Sequence, residues 1–172
     1  TSLSLELSTY TGDIHVLNFK TSQYKGSIKS DNGDVHLKSC EFNHASVETI
    51  GGNVSVENYH RSLHVKTSSG DIRVSGDLTQ GQMITNSGNT ELNCSIQQEL
   101  QAETSSGDIL CRLSQKGGKL TLSSMSGDIE FYGPVGDEVN LNSGSGDLEG
   151  DIVVFPTGSI TLISNDGDID FS

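Results

Sequence analysis

A glycine followed by Asp or Asn recurs about every 19 residues along this chain, and this pattern limits what the chain can fold into. Successive marker glycines are 18 to 21 residues apart. A regular period of this length is typical of a short structural unit stacked on copies of itself. The nine marker glycines are Gly12, Gly33, Gly52, Gly70, Gly88, Gly107, Gly127, Gly146 and Gly167.

Apolar residues occupy fixed positions on both sides of each marker glycine. They stand seven and five residues before it and two and four residues after it, and most residues between them are polar. Alternation with a period of two indicates strands with one buried side. Each repeat therefore holds two short strands with a corner between them. The remaining arc, which contains Phe19, Phe42 and Leu78, is predicted to form a third and less regular side.

Two architectures fit a repeat of strand, corner and strand. In an array of hairpins, Asn32-Gly33 would be a two-residue turn. In a parallel β-solenoid (β-helix), each strand pairs with its equivalent in the next coil, so that like residues stack. The apolar columns favour the second arrangement. The sequence predicts an all-β, single-stranded parallel β-solenoid of about nine coils, forming one domain over residues 1–172 and a rod about 40 Å long.

A hydroxyl residue stands three positions before every marker glycine. By alternation with the apolar columns, its side chain should point inward near the corner. A buried hydroxyl needs a hydrogen-bond partner, so the column predicts an internal ladder that fixes the register. Its members are Thr9, Ser30, Thr49, Thr67, Thr85, Thr104, Ser124, Ser143 and Ser164.

The Asp residues after the glycines are candidates for a cation site. Carboxylates stacked at about 4.8 Å repel one another unless they are hydrogen-bonded, solvated or bridged by cations, and calcium takes several oxygen ligands. Asn53 and Asn89 occupy the same column without a charge. This favours the alternative that each side chain caps turn N–H groups. The residues of the possible calcium ladder are Asp71, Asp108, Asp128, Asp147 and Asp168.

The net charge of −13 restricts the possible partners. It argues against nucleic acid, whose phosphates require Lys and Arg, and against adsorption on anionic membranes. No stretch approaches the apolar length of a membrane span, so no direct insertion is expected. An acidic, polar surface suits contact with a protein or a glycan.

Residues for catalysis are sparse. His15 and His36 share a column and could bind a transition metal, but the column does not continue, so they are interpreted as surface histidines. The three arginines occupy unrelated repeat positions, and there is no nucleophile elbow, metal triad or phosphate loop. We therefore expect no enzyme, no catalytic residue and no cofactor. A carbohydrate-active β-helix enzyme is the remaining catalytic alternative.

The cysteines bear on where the protein resides. Cys40, Cys94 and Cys111 are odd in number and irregularly spaced, which is not a disulfide or zinc pattern. Cys94 and Cys111 fall at predicted core positions and are expected to be buried, inert thiols. An odd number of free cysteines argues against an extracellular location and supports an intracellular or organellar one as the alternative.

The repeated Ser-Gly-Asp-Ile strings resemble an adhesin-like family of β-strand repeats, a domain of unknown function. They stand at Ser69–Ile72, Ser106–Ile109 and Ser126–Ile129. The resemblance covers nearly the whole chain and implies a cell-envelope or secreted protein, with organellar relatives also known in the family. It carries over no catalytic residues. The expected function is a non-enzymatic scaffold or binding module, with a calcium-stabilised adhesion or structural module as the alternative.

The two outermost strands lead to an expectation about assembly. The chain begins inside a strand-like run, Leu3 to Leu7, and its last strand-like run is Ile169 to Phe171. Bare solenoid ends favour stacking. We therefore expect either end-to-end self-association or capping segments in a longer protein.

Overall fold

Sixteen parallel strands wind into one continuous sheet, which confirms the predicted parallel β-solenoid. The computed structural model describes residues 3–20, 23–155 and 157–172. The strands are β1 Leu3–Thr9, β2 Ile14–Leu17, β3 Tyr24–Ser30, β4 Val35–Lys38, β5 His44–Thr49, β6 Val54–Tyr59, β7 Ser62–Lys66, β8 Ile72–Ile84, β9 Thr90–Thr104, β10 Ile109–Leu113, β11 Lys119–Ser124, β12 Ile129–Pro134, β13 Glu138–Ser143, β14 Leu148–Val153, β15 Ser159–Ser164 and β16 Ile169–Phe171.

Each coil contributes one strand to each of two faces. The first face holds the strands that precede the marker glycines: β1, β3, β5, β7, the end of β8, the end of β9, β11, β13 and β15. The second face holds the strands that follow them: β2, β4, β6, the start of β8, the start of β9, β10, β12, β14 and β16. Each residue pairs with the residue at the equivalent position of the next coil, as Ile109 does with Ile129. Because like positions stack, a row of side chains on either face runs along the solenoid axis.

The third side differs from the expectation in the middle of the molecule. In the fourth and fifth coils β8 and β9 continue through it, pairing Asp77 with Ser95 and Leu78 with Ile96. In the following coils it is loop, between β10 and β11 and between β12 and β13. The sequence predicted irregularity throughout because the apolar alternation is lost here, although the backbone pairing persists in these two coils.

The apolar columns form a continuous core along the axis. Where the first face has a small residue, the third side supplies a large one. A Cβ added to Gly26 would lie 2.9 Å from the ring of Phe42. The fully buried Tyr59 donates its hydroxyl hydrogen to the carbonyl oxygen of Ser62 at 2.9 Å, and the carbonyl oxygen of Phe42 is a second acceptor within reach at 3.3 Å. Variable residues of the third side thus compensate for variable residues of the first face.

One core position breaks the pattern. Thr90 stands two residues after Gly88, in a column otherwise filled by Ile, Val and Leu. Its side chain is 1% exposed, and within the described part of the chain its Oγ1 has no hydrogen-bond partner. A buried hydroxyl without a partner destabilises the folded state.

The outermost strands lie where the sequence predicted. β1 and β2 stand at one end of the solenoid, and β15 and β16 at the other. Leu5, Leu7, Ile160 and Leu162 in these end coils are half-buried, whereas their equivalents in the central coils are buried. In the described residues no helix has the length and apolar character to cross a membrane.

Candidate functional site

The predicted hydroxyl ladder is present and joins each corner to the one before it. The Thr67 hydroxyl accepts the N–H of Gly70 at 3.1 Å and donates to the carbonyl oxygen of Gly52 at 3.2 Å. The same two bonds recur in successive coils, so each hydroxyl ties its own corner to its neighbour's. The members are Ser30, Thr49, Thr67, Thr85, Thr104, Ser124, Ser143 and Ser164.

Stacking explains why glycine stands at each corner. A Cβ added to Gly70 would lie 1.9 Å from the carbonyl oxygen of Gly52, and a Cβ on Gly127 would lie 2.0 Å from that of Gly107. No marker glycine has a positive φ. Gly12 has only the Thr9 hydroxyl near its added Cβ, at 3.2 Å. The corner glycines therefore permit close approach of successive corners and are not required for a left-handed backbone.

The Asp and Asn residues after the glycines form a second ladder. Asp128 Oδ1 accepts the N–H of Asp147 at 2.8 Å, and Asn89 Oδ1 accepts that of Asp108 at 2.9 Å. The bond runs between coils, not within a turn as the capping interpretation assumed. Among the candidate calcium residues, Asp71, Asp108, Asp128 and Asp147 accept such a bond, and Asp168 donates its N–H to Asp147. A carboxylate and an amide perform this task alike.

A second corner, six residues after the marker glycine, was missed in the sequence. Asn18, Ser39 and Asn58 have φ values of 53°, and Gly76 and Gly133 have φ values of 136° and 137°. Asn and Gly tolerate this region better than other residues. The sequence carries only part of this signal: these five residues occupy one column, but Cys94, Leu113 and Ile152 occupy it in other coils.

The histidines and cysteines lie where the sequence placed them. The rings of His15 and His36 are stacked with their centroids 4.8 Å apart. No group of three or more His, Cys, Asp or Glu suited to a metal occurs among the described residues. All three cysteines are buried. Burial, and secondarily the charge of Asp77, raises the pKa of the Cys94 thiol to about 12, so it remains protonated and unreactive.

The C-terminal half of the second face carries the densest charge. Eight outward carboxylates lie along four successive coils, and Glu149 pairs directly with Glu130 on one side and Asp170 on the other. None of the eight takes part in an ion pair found among the described residues. We call this surface the acidic face; it consists of Asp108, Asp128, Glu130, Asp147, Glu149, Asp151, Asp168 and Asp170.

Two other side chains lie on the acidic face. The Arg112 guanidinium stacks over the Tyr132 ring, 5.2 Å from its centroid. The Tyr132 hydroxyl donates to Glu130 Oε2 at 3.2 Å, and this bond raises the pKa of Tyr132. One aromatic ring and one cation are therefore set into a surface of unpaired carboxylates.

The third side contains a trio of His60, Asp77 and Ser95. The Ser95 hydroxyl donates to Asp77 Oδ1 at 2.6 Å, and His60 Nδ1 lies 3.2 Å from Asp77 Oδ2. The carboxylate stands between the other two groups. In a nucleophilic triad the histidine stands in the middle and removes the serine proton, so this order leaves Ser95 without a general base.

The sequence matches a known protein family. A family model described as Toastrack DUF4097 matches residues 1–82 and 75–152. The two segments together span most of the chain. No curated protein and no solved structure matches the sequence.

Proposed function

Since the chain belongs to the Toastrack DUF4097 family, a domain of unknown function, we propose that it is a non-enzymatic scaffold whose acidic face binds a basic surface of a protein partner. The observation that carries this proposal is the in-register array of eight carboxylates, none of which has a cationic partner within residues 3–20, 23–155 and 157–172. Like charges directly opposite on neighbouring strands destabilise a sheet. An oppositely charged partner relieves this repulsion when it binds.

The array has the dimensions of a recognition surface. It covers four coils, which amounts to about 14 Å along the axis at about 4.8 Å per coil. Arg112 and Tyr132 are residue types enriched at protein interfaces, and both lie on this surface. The rows are held by the corner ladders, so the carboxylates are ordered before any partner arrives, which reduces the entropy lost on binding.

Support for a non-catalytic role comes from how the polar groups are used. Arg73 lies between Asp71 and Glu91, at 3.4 Å and 3.5 Å, and is occupied by them. Ser95 lacks a general base, and the cysteine thiols are buried. The Gly and Asp residues of the Ser-Gly-Asp strings are engaged in the two ladders in successive coils, so their recurrence is explained by the corner.

The test distinguishes specific binding by the acidic face from attraction by the net charge of the chain. The variant Glu130→Gln/Glu149→Gln/Asp170→Asn neutralises the outward row and leaves the corner ladder untouched. The control Glu6→Gln/Glu41→Gln/Glu99→Gln changes the net charge equally on other surfaces. Titration with a peptide of alternating Lys and Ser should show binding that is at least about tenfold weaker for the first variant, which is about 1.4 kcal/mol.

The control should bind like the unmodified chain, and the affinity should fall as salt is raised, since salt screens exposed charges. If both variants lose affinity equally, only net charge attracts the peptide and the acidic face is not a specific surface. An unmodified chain that ignores the peptide at low salt also contradicts the proposal.

A further inference from the structure

A polar groove on the third side is not used by the proposed function. It has a volume of about 580 Å³. It crosses the fourth to seventh coils, away from the acidic face. Its polar lining is Asp77, Ser95, Gln97, Gln115, Lys116 and Asp137.

Glycines let the loops beside the groove stack closely. The loops of the sixth and seventh coils contain Gly117, Gly118 and Gly136, which lie directly on the backbone of the coil before them. A Cβ on Gly118 would stand 1.8 Å from the carbonyl oxygen of Gln98, and one on Gly136 would stand 1.9 Å from that of Gly117. Gly117 and Gly118 also line the groove, so its wall there is backbone.

The polar groups follow one another along the axis. Asp77 lies in the fourth coil, Gln97 in the fifth, Gln115 and Lys116 in the sixth, and Asp137 in the seventh. At about 4.8 Å per coil the row is about 14 Å long. Asp77 is held in position by Ser95 and His60. The result is an elongated row of donors and acceptors parallel to the solenoid axis.

The chemistry of the row restricts its ligand. Carboxylates accept hydrogen bonds, amides donate and accept, and the lysine donates, a mixture suited to hydroxyl groups, which also do both. β8 and β9 pair with each other on the third side, so the two edges that face each other are closed to an extended peptide. The net charge of −13 disfavours an acidic polymer.

An aromatic ring lies at the C-terminal end of the row. Lys116 Nζ is 5.2 Å from the centroid of the Phe155 ring and 3.2 Å from Thr157 Oγ1, and these two contacts fix the lysine. Phe155 is 39% exposed. An exposed ring beside hydrogen-bonding groups can cover the apolar side of a ring-shaped ligand.

We propose that this groove binds a short segment of an uncharged glycan, aligned with the solenoid axis. Asp77 and Asp137 accept hydrogen bonds from sugar hydroxyls, and Gln97, Gln115 and Lys116 bind the sugar oxygens between them. The site is separate from the acidic face, so the glycan and the basic partner bind independently.

The probes are cellotetraose, chitotetraose, maltotetraose and mannotetraose, each titrated to about 10 mM into the ¹⁵N-labelled chain, a range that detects millimolar affinity. At least one should shift the backbone amides of Gly117 and Gly118 and the side-chain amides of Gln97 and Gln115. Tetragalacturonate and pentalysine are titrated in parallel as the acidic and basic alternatives. If no neutral probe shifts these amides, or if pentalysine alone does, the proposal is wrong.

Matched variants locate the binding. Gln97→Ala and Gln115→Ala should each weaken binding of the active tetrasaccharide about tenfold, as expected for a lost hydrogen bond to a ligand. The control is Gln98→Ala, an equally exposed glutamine that does not line the groove. Thermal melts of all three should match the unmodified chain. If Gln98→Ala weakens tetrasaccharide binding equally, the assignment of the binding site to this groove is wrong.

The acidic-face variant distinguishes the two proposals. Glu130→Gln/Glu149→Gln/Asp170→Asn should bind the tetrasaccharide like the unmodified chain even when its affinity for the basic peptide is reduced. If the acidic-face variant also loses the tetrasaccharide, the separate groove is contradicted. If the tetrasaccharide binds and the basic peptide does not, the groove stands and the acidic-face function fails.

Discussion

The two halves of the solenoid share one backbone plan and differ in surface charge. Residues 1–86 contain seven Lys and Arg, nine Asp and Glu and all five histidines, whereas residues 87–172 contain three and fourteen and no histidine. Four of the five ion pairs that Lys or Arg form in the described residues use a cation of the first half. The fifth, Lys119 with Glu138, lies in the second half. The first half therefore has a net charge of −2 and the second half −11, although their coils have the same backbone structure.

This difference shows that folding and surface are specified by separate positions. In both halves the same inward columns, hydroxyls and glycines build the coil. Outward positions are free to vary because they do not enter the core or the ladders. The second half leaves the eight carboxylates of its acidic face without an ion pair in the described structure, which destabilises it slightly and suits it to an oppositely charged partner. Selection for folding alone gives no reason for such a row.

The largest expected effect tests whether both halves depend on the corner equally. Gly70→Ala in the first half and Gly127→Ala in the second each place a Cβ about 2 Å from a carbonyl oxygen. Each should lower the free energy of unfolding by at least about 3 kcal/mol, as measured by urea denaturation.

Gly12→Ala is the matched control, since its Cβ meets only the Thr9 hydroxyl. It should change the free energy of unfolding by less than about 1 kcal/mol. If Gly70→Ala and Gly12→Ala are equally stable, close stacking is not the reason for glycine at the corners.

The sequence was sufficient to predict the solenoid but not the direction of every bond. The period, the inward columns and the hydroxyl ladder follow from patterns repeated nine times. Each Asp side chain was expected to accept an N–H of its own turn. The sequence does not show that the corner of the next coil brings an N–H closer to that side chain. The groove was not predicted, because its lining residues lie on the third side, outside the columns, and are brought together only by the stacking of four coils.

A second prediction compares two threonines in one coil at the junction of the halves. Thr85 donates to the Gly70 carbonyl and accepts from Gly88 N–H, each at 3.1 Å, whereas the Thr90 hydroxyl is buried without a partner in the described structure. Thr85→Val leaves both backbone groups unpaired and should destabilise the protein by about 2–3 kcal/mol.

Thr90→Val removes a polar atom from an apolar column and should stabilise the protein by about 1 kcal/mol. Urea denaturation of the two variants under identical conditions provides the comparison. If both variants change the free energy of unfolding in the same direction, the hydroxyl ladder does not explain the difference between Thr85 and Thr90.

A third prediction concerns the charge difference itself. Glu130→Gln/Glu149→Gln/Asp170→Asn removes like charges that face one another on β12, β14 and β16 and should raise the free energy of unfolding by about 1 kcal/mol at low ionic strength. The gain should shrink in about 1 M salt, where the Debye length is about 3 Å.

Glu6→Gln/Glu41→Gln/Glu99→Gln should leave the stability nearly unchanged under both conditions. Thermal melts of the two triple variants at two salt concentrations give the answer. If the acidic-face variant is less stable than the unmodified chain at low salt, the carboxylates are stabilised by contacts other than those described above.

The smallest effect on stability is expected for a substitution in the Asp column, which is the column that would bind calcium. Asp147 Oδ1 accepts the N–H of Asp168 at 2.8 Å, and Asn53 and Asn89 make the same bond in other coils. Asp147→Asn should therefore change the free energy of unfolding by no more than about 0.5 kcal/mol, whereas Asp147→Ala removes the acceptor and should lower it by about 1 kcal/mol.

Calcium and EDTA give the complementary measurement, because a cation that binds only the folded state raises its melting temperature. Since the ladder bonds already satisfy one oxygen of each stacked carboxylate, calcium should shift the melting temperature no more than magnesium at equal concentration. A specific rise with calcium that Asp147→Asn abolishes would instead establish the calcium-stabilised module. It would also place that module in the acidic half, because there the column contains four consecutive Asp residues, whereas Asn53 and Asn89 interrupt it earlier in the chain.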